Sequence, residues 1–253
     1  MGSRQRRHLS ATGWCFDMLV AIHQPHYLPW LRYFHKIMEA ELFILLDDAQ
    51  FVKGEWHNRN KIKSAQGAIY LTVPVIHKFG QSIGETIIEN TSRWREKHLY
   101  ALKTNYNSAP FYKDYIHFLQ PFYETNTPAF LGELNGKMLE VFLSILNIKT
   151  PVVRSTALGA EGKGSEKLLN ICKAVGADAY LTGEKALEEY LDLQSFKENG
   201  IEVWVQRWEC PVYPQRFPQI GFIPDLAIVD LLFNCGEKSV EILKKGGKLE
   251  RVI

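Results

Sequence analysis

MLVAIHQPHYLPWLRYFHKIMEAELFILLDD (18–48) is the stretch that decides the fold. Its first five residues, 18–22, are continuously apolar and run into a polar break, the pattern of a strand buried on both faces. From 27 to 40, apolar residues recur at 30, 31, 34, 37 and 38, a helical spacing, and Pro29 suits a helix's first turn. A second apolar run, 42–46, ends at Asp47 and Asp48. Strand, helix and strand within about 30 residues make a βαβ unit, expected to be right-handed with parallel strands.

Outward from this unit, 51–63 (FVKGEWHNRNKIK) is polar and basic and shows no clean period. Residues 69–76 (IYLTVPVI) read as a strand, and Pro74 puts it at an edge or an end. Residues 92–107 and 128–147 read as helices, and the stripe Phe130, Leu134, Met138, Phe142 and Leu146 belongs to a core. A mainly helical segment over about 90–148 is therefore expected between two sheet-forming regions. Alternation then resumes with strands at 151–153, 179–181 and 201–205. The expected helices are 165–175, closed by Gly176, then 184–190, and finally 226–233 with Asp225 as N-cap. The fold class is α/β: a mostly parallel, Rossmann-like sheet with helices on both faces, forming one domain over 18–253. Residues 1–17 read as a basic, flexible tail.

Composition narrows the function classes. The 253 residues are 46% hydrophobic and 23% charged, with a net charge of +2, too balanced for bulk charge to imply a nucleic-acid or membrane partner. The four cysteines are widely spaced without a CxxC pair, so a zinc site is not expected and a reduced, cytoplasmic setting is. No apolar run reaches the roughly 18–20 residues that span a bilayer.

In an open parallel sheet, ligands bind beyond the carboxyl ends of the strands. The residues just past each expected strand therefore locate a site. After the first strand come His23, Gln24, His26 and Tyr27; after the second, Asp47, Asp48 and Gln50, then Trp56, Asn58, Arg59, Asn60 and Lys61. After the later strands come Ser155, Thr182 with Gly183, and Gln206. HxxH between a buried strand and a helix resembles the HxGH turn of nucleotidylyltransferases, where imidazoles stabilise charge developing on phosphates, with Pro25 here in the glycine position. Two histidines alone do not make a metal site; a third ligand would have to come from Asp47 or Asp48. Neighbouring carboxylates at a strand end are expected to diverge, and one or both suit Mg²⁺ held together with substrate phosphates. Arg59 offers a bidentate fork for an anion, and Asn58 and Asn60 offer amides for hydroxyls. The expected catalytic set is His23, Asp47 and Asp48, and the other residues named form the substrate-binding set. His23, the acids and Arg59 are expected to converge on one hollow. The Gly159–Gly164 loop lacks the order of a P-loop.

Seven segments carry a resemblance: IHQPHYLPWLRYFHKI (22–37), LLDDAQFVK (45–53), WHNRNKIK (56–63), LTVPV (71–75), LLNICKAVGADAYLTG (168–183), FKENGIEVWVQ (196–206) and FIPDLAIVDLLFNCG (222–236). Together they resemble the WbqC-like protein family over nearly the whole chain. The family usually has Asn where this chain has His26, which moves the expected imidazole role to His23. The resemblance implies a bacterial protein associated with gene clusters for surface polysaccharides such as O-antigen, and it implies no defined reaction. The resulting expectation is a transferase moving a nucleotidyl or acyl-type group on a small molecule, a nucleotide or nucleotide sugar included, with Mg²⁺ as the candidate cofactor. The alternative is a non-catalytic binding or scaffold subunit of such a pathway. Oligomeric state stays open.

Overall fold

A computed structural model describes residues 18–124 and 128–253 of the chain; the expected tail, 1–17, lies outside the described residues. β1 (Leu19–His23) leads through an arch to α1 (Leu31–Glu39) and on to β2 (Leu42–Leu45). β1 and β2 pair in parallel, with Val20 opposite Leu42 and His23 opposite Leu45. The helix begins later than its periodicity indicates, because Leu28 adopts a left-handed φ of 45° and Trp30 is extended. Residues 24–30 are therefore an arch rather than a first helical turn.

Two hairpins come after β2: β3 (Arg59–Ser64) with β4 (Gly67–Thr72), and β5 (Val75–Ile76) with β6 (Ile87–Ile88). β3 lies inside the stretch that shows no period. Its buried positions hold Asn60, Ile62, Lys63 and Ser64, so polar burial hides the alternation that would mark a strand. Pro74 divides the expected strand 69–76 into β4 and β5.

Three helices come next, α2 (Trp94–Tyr106), α3 (Tyr112–Glu124) and α4 (Leu131–Ile145), and Pro121 in the last turn of α3 obscures that helix in the sequence. The chain returns to the sheet with β7 (Val152–Arg154), α5 (Gly164–Ala174), β8 (Ala179–Gly183), α6 (Glu184–Glu189), α7 (Leu193–Glu198) and β9 (Glu202–Trp208). α5 ends as its sequence indicates: Gly176 takes φ 69°, its N–H donates to Lys173 O at 3.2 Å, and Ala177 N–H donates to Cys172 O at 2.9 Å. α8 (Ile228–Cys235), α9 (Ser239–Lys245) and β10 (Gly247–Arg251) complete the order. Asp225 does not cap α8. It sits at φ 51° with Oδ1 accepting from Trp208 Nε1 at 2.9 Å, and Ala227 stands at the N-cap.

The six-stranded sheet has the order β10-β9-β8-β1-β2-β7, and all neighbours are parallel except β10 against β9. This is a mixed α/β fold on a mostly parallel sheet. Side chains alternate across it. Leu19 and Ala21 join one core with Phe34, Phe43, Phe142 and Phe233, while Val20 and Ile22 join another with Leu168, Ile171 and Phe196. β1 is thus buried on both faces, which is why its sequence is an unbroken apolar run.

The connections place the site. From β1 the chain moves one way, to β2 and β7, and then crosses to the other side for β8 and β9. The backbones leaving β1 and β8 diverge at their carboxyl ends, and divergence at such a point opens a crevice.

Candidate functional site

A cleft of about 420 Å³ occupies that crevice. His23 enters from the end of β1, Gln24 and His26 from the arch, Arg32, Tyr33 and Lys36 from α1, Thr182 and Gly183 from β8, and Gln206 from β9. Trp30, Trp56, Tyr180, Tyr190 and Trp208 supply aromatic wall, and Glu55, Glu184, Lys185 and Glu189 supply charge.

Three imidazoles cluster here. The rings of His23 and His26 meet edge to face at 4.7 Å, and His26 lies 5.9 Å from His57. Tyr33 packs on His23 at 4.8 Å, and its hydroxyl donates to Gln24 O at 3.0 Å. Val52 N–H donates to His57 Nδ1 at 3.3 Å, so the His57 proton resides on Nε2, which donates to Gln24 Oε1 at 2.9 Å. Burial, reinforced by Lys36, holds His23 well below the usual imidazole range. Burial and the His23 ring do the same to His26, and burial alone takes His57 down to about 4. All three rings are neutral bases at neutral pH. His26 Nδ1 is buried without a hydrogen-bond partner among the described residues.

The arch that presents these rings is held from outside. Leu28 O accepts from Asn60 Nδ2 at 2.6 Å, Tyr27 N–H donates to Trp56 O at 3.3 Å, and Ile228 N–H donates to Pro29 O at 2.9 Å. A left-handed non-glycine residue such as Leu28 costs about 1–3 kcal/mol and persists only where neighbours over-determine it. Those three contacts are the neighbours.

Of the residues expected from the sequence, the structure brings His23, Gln24, His26, Trp56, Thr182, Gly183 and Gln206 onto the cleft. Gln206 lies within β9 rather than after it, and its Nε2 donates to Arg32 O at 3.0 Å and bonds His35 Nδ1 at 2.9 Å. The others are placed elsewhere, each for a visible reason. Tyr27 is fully buried, its hydroxyl bonding His98 Nδ1 at 2.9 Å and Tyr123 OH at 2.7 Å. Asn58 Nδ2 donates to Val73 O at 2.7 Å, and Asn60 is spent on the Leu28 carbonyl. The Arg59 guanidinium stacks on Tyr70 at 4.7 Å, while Lys61 Nζ lies 5.4 Å from the Trp56 ring, behind the wall. Gln50 is exposed and bridges to Ser82 through its backbone.

The expected convergence of His23 with the acids and Arg59 is not what the fold builds. Asp47 and Asp48 sit beyond β2 in a network of their own. Asp47 accepts from Arg154 Nη1 at 3.2 Å, Ser155 Oγ at 3.1 Å, Thr156 N–H at 3.2 Å and Thr156 Oγ1 at 3.1 Å. Asp48 accepts from Lys167 Nζ and Ser155 Oγ, both at 2.6 Å. The two carboxylates share the Ser155 hydroxyl instead of diverging, because β2 has ended at Leu45 and strand alternation no longer applies. With Arg154 and Lys167 already paired to them, this donor set does not fit Mg²⁺.

Sequence reasoning missed His57, Arg32 and Lys36. His57 stands inside the WHNRN motif and is marked only by that company. Arg32 and Lys36 lie four residues apart on the polar stripe of α1, which reads as a solvated face; Gly183 at the end of β8 covers Lys36 there, and nothing local signals it.

The chain is a mixed α/β protein with a polar, aromatic-walled cleft at the carboxyl edge of its mostly parallel sheet, the edge at which open sheets of this kind place their crevices. A family model described as the WbqC-like protein family matches residues 24–242, and the chain belongs to that family. It is 38% identical over 229 residues to "Uncharacterized protein Rv1507c" of Mycobacterium tuberculosis (strain ATCC 25618 / H37Rv), covering 89% of this chain and 97% of that one. No solved structure matches it. Among the described residues no helix is long and apolar enough to cross a membrane.

Proposed function

We propose that this protein is a cytoplasmic group-transfer enzyme acting on a small molecule, a nucleotide or nucleotide sugar, in the synthesis of bacterial surface polysaccharide, O-antigen or a related precursor. One observation carries the reading: three imidazoles, held neutral by burial, gather in a cleft at the sheet's switch point. The parallel strands, numbered by appearance, run third, second, first, fourth, fifth, the order of Rossmann-like nucleotide-binding sheets, and this supports a nucleotide-bearing substrate. The family's association with polysaccharide clusters supports the pathway.

In this reading His23 is the proton-transfer group. Its Nδ1 lies 3.2 Å from Gln24 O, so a proton held on Nδ1 donates there and leaves Nε2 free. Nε2 takes the proton of an acceptor hydroxyl or amine as that atom attacks the transferred acyl or nucleotidyl group, and returns it to the leaving group. General catalysis of this kind contributes about 10²–10⁴ in rate. His57 orients the Gln24 side chain, and the tryptophans offer ring faces to a base or sugar.

The test is calorimetric titration with nucleotides and nucleotide sugars, with and without Mg²⁺, and then turnover of any that bind. His23→Gln is expected to keep ligand binding and to lower turnover by at least about a hundredfold. Binding by native protein with no turnover, and undiminished polysaccharide in cells carrying His23→Gln, would leave a binding subunit as the correct reading.

A further inference from the structure

Four side chains with a formal charge are buried among the described residues: Lys36, Asp47, Lys63 and Asp230. Three are compensated. Asp47 has Arg154; Asp230 accepts from Tyr106 OH at 2.8 Å and Tyr213 OH at 3.2 Å; Lys63 Nζ donates to Gly221 O at 2.6 Å and Gln215 Oε1 at 3.1 Å. Lys36 is the exception. It is 6% exposed, it lines the cleft, and among the described residues it makes no hydrogen bond and no ion pair.

An uncompensated buried ammonium costs on the order of several kcal/mol, and protein interiors retain such groups where something else supplies the opposite charge. The surroundings of Lys36 supply none. On its own helix it faces Arg32; from β1 and the arch it faces His23 and His26, with His57 behind them. Gly183 of β8 covers it, and a Cβ there would stand 3.2 Å from Nζ, so the missing side chain leaves the space in front of the amine open. The acids on the cleft, Glu55, Glu184 and Glu189, come from the loop after β2 and from α6, alongside Lys185, and Glu184 is paired with Arg207 at 3.1 Å.

We infer that Lys36, with Arg32 one helical turn above it, seats a phosphoryl group of the ligand. The inference deepens the reading of this cleft as the catalytic one and names the part of the substrate that anchors there. A phosphoryl group supplies the missing negative charge, and its oxygens accept from the ammonium and the guanidinium together. The aromatic walls lie next to this seat, as a ring attached to the phosphate requires.

Binding at this seat is linked to a proton. Burial, with Arg32 adding to it, pushes the Lys36 amine down to about 7 in the free protein. A bound dianion restores the charged form, so binding above pH 7 draws one proton from solution, and affinity falls about tenfold per pH unit as pH rises past 7. The three histidines are already neutral in this window; a phosphate monoester, with a second pKa near 6, is already a dianion, and inorganic phosphate, which loses its second proton about one pH unit higher, is one from about pH 8 upward.

The experiment is titration of the full chain with inorganic phosphate, from about pH 8 to 9, where it is a dianion, by calorimetry in two buffers of different ionisation heat. Native protein is expected to bind phosphate, to take up about one proton per phosphate at pH 8, and to show the tenfold slope. Lys36→Met is expected to lose at least tenfold in affinity and all proton uptake; Lys36→Arg is expected to bind without the pH dependence. No phosphate binding, binding without proton uptake, or equal affinity in Lys36→Met each overturns the inference. If Lys36→Met does not fold, native proton uptake and Lys36→Arg decide the matter. Lys36-dependent phosphate binding in a protein that turns over no nucleotide substrate sustains this seat and defeats the transferase reading instead.

Discussion

Replacing Asn60 with alanine separates what the sequence offers from what the fold does with it. In the sequence Asn60 is an amide available to a substrate hydroxyl. In the structure it is fully buried, its Nδ2 donates to Leu28 O at 2.6 Å and its Oδ1 accepts from Lys61 N–H at 2.8 Å. Truncation orphans the Leu28 carbonyl, at about 1–3 kcal/mol, and forfeits a second hydrogen bond worth about 1 kcal/mol. Relaxation of Leu28 out of its left-handed conformation returns part of this, so the net expectation is a loss of about 2–3 kcal/mol. Urea unfolding monitored by circular dichroism measures it as a lower midpoint at unchanged slope. Asn60→Asp sharpens the comparison, since the carboxylate still accepts from Lys61 but faces the Leu28 carbonyl with no donor. It should destabilise at neutral pH at least as much as alanine. A substrate-reading Asn60 would instead leave stability within about 0.5 kcal/mol in both variants while weakening ligand binding; that result would refute the structural role.

Three further outcomes are expected. Asp47→Asn removes the carboxylate that Arg154, Ser155 and Thr156 share and should cost about 1–3 kcal/mol in denaturant unfolding, with phosphate affinity in the cleft unchanged. Burial raises the Asp230 carboxyl to about 6, above the usual aspartate range near 3.9, so the native state holds a proton that the unfolded chain releases. Stability therefore falls as pH rises from about 4 to 6, and Asp230→Asn, which mimics the protonated acid, should flatten that slope by about one proton in a pH series of unfolding curves. Gly183→Ala places a methyl group 3.2 Å from Lys36 Nζ at an extended backbone position. It should weaken phosphate binding several-fold and lower the urea midpoint modestly, by about 0.5–1 kcal/mol of stability, since alanine is a much poorer N-cap than glycine.

The parallel strands were legible because β1, β2 and β8 are buried on both faces and so open with unbroken apolar runs. α5 was legible from Gly176, and α1 from its apolar spacing. β3 was not, because its inward positions carry Asn60, Lys63 and Ser64, whose partners Leu28, Gln215 and Gly67 are distant or in the hairpin turn and invisible to periodicity. The strand-end rule found the neighbourhood of the cleft and seven of the residues that line it. It failed at Asp47, Arg59 and Ser155 because residues at the ends of different strands share an edge of the sheet without sharing a hollow. It failed at Lys36 because a polar helix stripe reads the same whether water or another wall lies over it.

β1 and β8, the two strands between which the cleft opens, are separated by about 160 positions of chain, and the ladder that joins them pairs Leu19 with Ala179. The two walls of the cleft come together only when this long loop has closed, and closing it costs chain entropy. A molecule that touches both walls then acts as a clamp on the finished topology, raising the melting temperature in proportion to the logarithm of its concentration. Thermal-shift screening of metabolite collections, repeated on Lys36→Met to separate this gap from other sites, reads out its occupancy.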